Sequence, residues 1–251
     1  MTQLYLAPVL FFTIAFIFSM LGMGGSQLYV PILFWLGMDF KTQAIPLGML
    51  LSVVNSSSAA LTYGRKGMID WKVAIPFGVA MVMLAPLGAW VNISLPTKLI
   101  IIKCPPIALA GATVMLSGWQ PKQGGLFSKG RTILGISGGG VLGFFAGLLG
   151  RGGGALVVPL LYIAGLEAKA AAATSAFVVT CSGTSSFLSH ILTAAQPQWI
   201  VWILCIISVL IASQLGSHLM AAKIESKFIK LLFGTVLLGV AAILLYQGIA
   251  M

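Results

Sequence analysis

Two glycine clusters are the places in this chain where the backbone itself could hold a ligand. They are Gly22-Met23-Gly24-Gly25 and Gly150-Arg151-Gly152-Gly153-Gly154, each inside an apolar run of over 30 residues. A helix that stops at such a cluster and restarts just beyond it, near Ser26 and near Ala155, leaves its first amide N–H groups without internal partners. The positive end of the helix dipole stands behind those groups, and glycine lets a ligand approach the backbone closely. In a low-dielectric setting, two such starts make an anion site. Gly24, Gly25, Gly152 and Gly153 are the candidate positions of close approach. The other use of glycine is tight packing or a kink. Packing glycines come singly or as small-xxx-small pairs, whereas these come as two clusters.

The side chains around the clusters extend that chemistry. Arg151 is a cation inside an apolar run, which is costly and by default functional; its alternative is to snorkel to head groups. Gln27 follows the first cluster as a polar candidate ligand. A hydroxyl and amide run, Asn55-Ser56-Ser57-Ser58, stands opposite Gly183-Thr184-Ser185-Ser186, with Thr174 and Ser175 earlier in the second stretch. Asn55, Ser57, Thr174, Ser175 and Ser185 could donate to an oxyanion without burying a further charge, or could simply bond helix to helix. His190 and His218 are expected at the membrane interface. Cys104, Cys181 and Cys205 lie in apolar stretches, with no CxxC and no Cys/His cluster, so neither a metal site nor a disulfide framework is expected. No HExxH, Walker lysine motif or carboxylate pair within a span is present, and the chain is not expected to be an enzyme or to carry a cofactor.

The surrounding sequence dictates the solvent. Hydrophobic residues make up 59% of the 251 and charged residues 7%, against about 25% charged in a soluble domain. Too few charges remain to cover a water-facing surface, so lipid is the expected surroundings. The net charge of +10 comes from 14 basic residues dispersed in short connections, without a basic stripe. Nucleic acid is therefore not an expected partner; anionic head groups are. The first apolar run has no preceding basic segment and continues past Leu36, unlike a cleaved signal peptide.

Eight apolar blocks follow one another: 5–36, 43–63, 71–93, 97–117, 132–164, 170–192, 198–220 and 224–248. Six have the length of one helical crossing, and the first and fifth carry the glycine clusters. A shift of 128 residues aligns Gly22, Gly24 and Gly25 with Gly150, Gly152 and Gly153. It also aligns Pro31 with Pro159, Gly37 with Gly165, Lys41 with Lys169, Trp71 with Trp199 and Gly88 with Gly216. Residues 1–119 and 132–251 thus read as two homologous repeats joined by the loop 120–131. If the long blocks cross once, the basic residues divide evenly between the two sides. If each enters and returns, Lys41, Lys98 and Lys103 stand on one side and ten basic residues on the other, Arg151 apart. The second pattern obeys the positive-inside rule and makes the repeats inverted, with both termini periplasmic.

The same residues carry a family resemblance. Gly22-Met23-Gly24-Gly25-Ser26 with Pro31 and Gly37, repeated as Gly150-Arg151-Gly152-Gly153-Gly154 with Pro159 and Gly165, resembles the sulfite exporter TauE/SafE family, also called the toluenesulfonate uptake permease family. The resemblance covers nearly the whole chain. It implies transport of sulfite, organosulfonates or related small sulfur-containing or carboxylate anions across the bacterial inner membrane. Ser26 stands where the family often has a third glycine, and Pro46-Leu47 replace its Thr-Ser pair. These departures assign more of the ligand contacts to the second half.

The expectation is therefore an all-α polytopic membrane protein with its substrate site between the repeats, exporting a small oxyanion by alternating access. A passive anion channel and a non-transporting membrane subunit or scaffold of a sulfur-metabolism system are the alternatives. The expected partners are the anion and the lipid bilayer, with a homodimer as a candidate assembly. The four acids, Asp39, Asp70, Glu167 and Glu225, all fall near block ends, leaving no mid-membrane proton relay. Efflux of an anion from an inside-negative cell needs none, since it gains about 2.3 kcal/mol per charge per 100 mV.

Overall fold

The computed structural model describes residues 6–94, 104–117, 128–149, 154–192, 194–195 and 198–249. Ten α-helices occupy them: α1 Ala7–Leu21, α2 Ser26–Trp35, α3 Ile45–Arg65, α4 Trp71–Ser94, α5 Cys104–Leu116, α6 Ser128–Leu149, α7 Gly154–Ile163, α8 Ala168–Ile191, α9 Trp199–Lys223 and α10 Ser226–Ile249. No strand occurs among the described residues. The first and fifth apolar blocks each resolve into two helices, α1–α2 and α6–α7. Among the described residues, five helical segments are long and apolar enough to cross a bilayer: Phe40–Arg65, Trp71–Asn92, Ala168–Ile191, Trp199–Lys223 and Ser226–Ile243. The short helices α2 and α7 have 10 residues each, a rise of about 15 Å, or roughly half the hydrocarbon thickness.

Local sequence explains the stops. At the end of α1, the Gly22 N–H donates to Ser19 O (3.3 Å) and the Met23 N–H to Phe18 O (3.2 Å), with Gly22 left-handed at φ 67°. That is a Schellman closure, which favours glycine at this position. The same closure ends α2 at Gly37 and α7 at Gly165, both at φ 92°. Between α2 and α3, one π-helical turn runs from Phe40 to Ala44. Asp39 caps it, accepting from the Thr42 N–H at 2.9 Å and the Thr42 hydroxyl at 2.7 Å. Those bonds hold the Asp39 carboxyl below the usual carboxylate range.

The outer surface is apolar, and the largely apolar interior carries a seam of polar side chains. Met83 and Trp90 of α4 and Trp199 and Ile200 of α9 stand largely exposed, as lipid-facing side chains should. Inward, Ser52, Asn55, Ser56 and Thr62 of α3 and Ser175, Ser182 and Ser186 of α8 are buried. Helices α3 and α8 pack together at the centre. Helix α1 packs against α9, α6 against α4, and α10 against α5. Two glycines make the outer crossings possible. A Cβ on Gly88 of α4 would collide with the Phe144 carbonyl of α6, and one on Gly216 of α9 with the Phe16 carbonyl of α1.

The close crossings give the first test. Gly88→Val and Gly216→Val should each destabilise by about 1–3 kcal/mol through overpacking and lower the yield of monodisperse protein in detergent. Gly239→Ala, which meets nothing within 4 Å, should leave that yield unchanged.

Candidate functional site

The first glycine break lies in the interior, enclosed by α3 and α8. Gly24 and Gly25 hold φ of 79° and 101°, left-handed values that a side chain adopts only under strain. Space is equally restrictive. A Cβ on Gly24 would strike the Ser52 hydroxyl and stand 2.9 Å from Val179 Cγ1, and one on Gly25 would lie 2.6 Å from the Tyr29 ring. Gly22 closes on the backbone of Ala172 in α8.

A chain break in the interior releases carbonyls that need donors. Three carbonyls around the break accept from side chains of other helices. The Tyr63 hydroxyl donates to Ser19 O at 2.7 Å, Ser175 Oγ to Gly22 O at 2.9 Å and Asn55 Nδ2 to Gly24 O at 2.8 Å. The end of α6 is served in the same way. Asn92 Nδ2 donates to Leu148 O at 2.8 Å, and His190 Nε2 stands 3.3 Å from Gly147 O. His190, near the end of α8, is thus buried against α6.

The second helix restart packs on the first break. A Cβ on Gly154, the first residue of α7, would lie 2.7 Å from Met23 Cα, so the start of α7 packs directly on the first break. On the α2 side, the internal ladder begins with Leu28 and Tyr29, whose N–H groups both donate to Gly25 O at 3.0 and 3.1 Å. The amides of Ser26 and Gln27, first in the helix, precede that ladder, and Gly25 supplies no side chain to cap them. Around this start stand buried polar atoms without a hydrogen-bond partner: Ser26 Oγ, Gln27 Oε1, Tyr29 Oη, Ser52 Oγ and Asn55 Oδ1. An unpartnered buried polar atom costs about 1–3 kcal/mol, and five of them lie around this one helix start.

The residues singled out from sequence divide accordingly. Gly24, Gly25, Gln27 and Asn55 come together at the break, and Ser175 reaches it through Gly22. Thr174, although adjacent, accepts from the Asp70 N–H at 3.1 Å and so anchors the α3–α4 turn. Ser185 donates to Val82 O of α4 at 2.9 Å. Ser57 donates within its own helix, to Val54 O at 3.2 Å. Arg151, Gly152 and Gly153 lie outside the described residues. The hydroxyl run bonds mainly from helix to helix: Thr180 Oγ1 to Ser56 Oγ at 3.0 Å, Gln214 Nε2 to Ser58 Oγ at 2.7 Å and Ser213 Oγ to Asn55 O at 2.7 Å.

Tyr29, Ser52 and Tyr63 belong to this region and carry no motif of their own. Helical spacing was the available signal, since Ser52, Asn55, Ser56 and Tyr63 recur on one face of α3. The expectation that the second half supplies more of the ligand contacts falls on Arg151, Gly152 and Gly153, outside the described residues. A separate cavity of about 760 Å³ opens between the end of α7 and the start of α10, lined by Tyr162, Glu167, Glu225, Lys227 and Lys230 among others. None of the glycine-break residues line it.

The division between break and helix contacts is testable. Asn55→Ala should strand the Gly24 carbonyl and lower stability by about 1–3 kcal/mol. Ser57→Ala should stay within about 0.5 kcal/mol of the unaltered protein, both read from thermal unfolding in detergent.

Comparison with known proteins places the chain. The family model described as "Sulfite exporter TauE/SafE" matches residues 7–244. The "Probable membrane transporter protein YunE" of Bacillus subtilis is 26% identical, over 92% of this chain and 93% of its own length. The "Probable membrane transporter protein MJ0441" of Methanocaldococcus jannaschii is 24% identical, over 93% of each chain. The "Probable membrane transporter protein ORF9" of a Sinorhizobium species is 26% identical, over 93% of this chain and 89% of its own. No solved structure matches. The described helices and the match across nearly the whole chain agree: this multi-pass membrane protein belongs to the sulfite exporter TauE/SafE family.

Proposed function

We propose that the protein is a cytoplasmic-membrane permease that exports small oxyanions, sulfite or an organosulfonate, by alternating access. The observation that carries this reading is the packing of the α7 start, at Gly154, on the first glycine break at Met23, beside uncapped amides and buried hydroxyls with no partner among the described residues. Such a site offers oriented donors to an anion without a protein carboxylate that would repel it. Arg151, three residues before the start of α7, supplies the positive charge. The names of the relatives, all membrane transporters, agree with a transporting role and not with a scaffold.

In this reading the chain is two inverted repeats, 1–119 and 132–251. The helix bounds support it: α2 and α7 span 26–35 and 154–163, the 128-residue offset that aligns the glycines. So do the Schellman closures at Gly37 and Gly165, and the crossed packing in which α1 meets α9 as α6 meets α4. One repeat rocking against the other about the central α3–α8 contact would expose the breaks to each side in turn.

Two measurements test this. Purified protein in proteoliposomes should give saturable flux of radiolabelled sulfite, and Arg151→Ala should reduce it at least about tenfold, the loss of a charged contact being worth more than about 1.4 kcal/mol. Absence of flux for sulfite and for a panel of small sulfonates would remove the reading, and ohmic, unsaturable flux would make the protein a channel. For topology, Lys41→Cys should react with an impermeant thiol reagent in intact cells while Lys66→Cys and Lys169→Cys do not. Equal labelling of Lys41→Cys and Lys169→Cys would sink the inverted arrangement.

A further inference from the structure

We propose that the cavity between the end of α7 and the start of α10 is a binding site for one membrane lipid, an aminophospholipid of the phosphatidylethanolamine kind. The proposal is independent of the transport reading above.

The cavity has a volume of about 760 Å³, within the range of about 300–1,000 Å³ that small-molecule sites occupy. It gathers the ends of four helices. Leu116 closes α5, Tyr162 stands in the last turn of α7, Ala168 opens α8 and Ser226 opens α10. Helix α7 starts at the interior break and rises about 15 Å, roughly half the hydrocarbon thickness, so its far end lies at the membrane boundary. Charged and large apolar side chains stand exposed side by side there: Glu167, Glu225 and Lys227 with Phe228 and Leu231. Such a mixture fits the level at which head groups give way to acyl chains. Phe228 and Leu231 line the cavity and offer the chains an apolar wall.

The charges of the lining choose the head group. Two cations, Lys227 and Lys230, share it with two carboxylates, Glu167 and Glu225. Lys169 is not in the lining; its ammonium donates to the Ala221 carbonyl at 3.3 Å. A lining of both signs complements a zwitterion, whose phosphate turns to the lysines and whose ammonium turns to the glutamates. A head group with negative charge alone would meet the two carboxylates as like charges. The glutamates also separate a primary ammonium from a quaternary one. An –NH₃⁺ group brings three donors, and Glu167 already acts as an acceptor, from the Ser226 hydroxyl. A choline group has no N–H to give and is recognised by cages of aromatic faces. Of the two aromatic rings in the lining, that of Tyr162 is taken by Lys230, whose Nζ lies 5.0 Å from the ring centroid and donates to the hydroxyl at 3.1 Å. Phe228 alone makes no cage.

Native mass spectrometry of the purified full chain in detergent tests the proposal. The probe is an equimolar mixture of phosphatidylethanolamine, phosphatidylcholine and phosphatidylglycerol with identical acyl chains. The ethanolamine lipid is expected on the protein at about three- to fivefold the level of either other lipid, the worth of one partly exposed ion pair. Glu167→Gln combined with Glu225→Gln should abolish that preference. Glutamine keeps an acceptor for Ser226 and both positions are exposed, so this variant should unfold at the same temperature as the unaltered chain. Lys227→Gln, at a third exposed position, should lower retention of the ethanolamine lipid by a similar factor. Equal occupancy by the three lipids, or a preference that survives these substitutions, overturns the proposal. So does a preference for phosphatidylglycerol, which would make the cavity an anionic-lipid site. Soluble glycerophosphoethanolamine should not displace the lipid at the same concentration; displacement would make the ligand a free metabolite and overturn the lipid assignment.

Discussion

Every carbonyl released inside the bilayer by the break at Gly22–Gly25 has to find a donor, and the arrangement of the interior follows from that requirement. Water is not available to solvate the backbone at that depth. The chain answers with side chains from other helices: Tyr63, Asn55 and Ser175 reach Ser19, Gly24 and Gly22, respectively. These bonds fix where α3 and α8 must run, since both have to pass the break closely enough to donate. The small residues on α8, Ala172 and Ala176, are the corollary, because Gly22 rests against their backbone. A helix break that might read as a defect is thereby the point to which the central helices are tied.

The amides released on the other side of the break are treated differently. Where carbonyls are met one by one, the start of α2 has a glycine at its cap and unpartnered hydroxyls around it. The asymmetry is chemical. Satisfying the carbonyls holds the fold, while leaving the amide end open leaves a binding capacity. The same separation appears among the hydroxyl residues. Ser56, Ser58, Ser185 and Ser213 bond helices to one another, and Ser26 and Ser52 do not.

Sequence reading located the parts of this that depend on local backbone geometry. Gly22, Gly24, Gly25, Gly37 and Gly165 all adopt positive φ, a demand that leaves its mark in residue type, and the helix stops were legible for that reason. The apolar periods gave the helices, and the split of the long blocks into α1–α2 and α6–α7 followed from the clusters. Side-chain partners were not legible. Nothing distinguishes Thr174 from Ser175 in the sequence, yet one faces the α3–α4 turn and the other the break, a difference of about 100° in helical phase. His190 ends a block, and its contact with Gly147 O depends on how α6 lies against α8. Tyr29 and Ser52 carry no motif, and only the burial of the break in three dimensions assigns them to it.

The crossed packing of α1 on α9 and α6 on α4 has a consequence for how the protein is made. Helix α1 ends at Leu21, and its partner is not complete until Lys223. At about 5–20 residues per second of synthesis, α1 waits on the order of 10–40 seconds in the membrane before α9 arrives to cover it. Helix α4, in contrast, meets α6 after about 3–11 seconds. The two seams therefore close on different clocks. The late-closing α1–α9 seam, with its tight Gly216 crossing, is the step at which a ribosome pause or a membrane chaperone has the greatest leverage on the yield of folded protein.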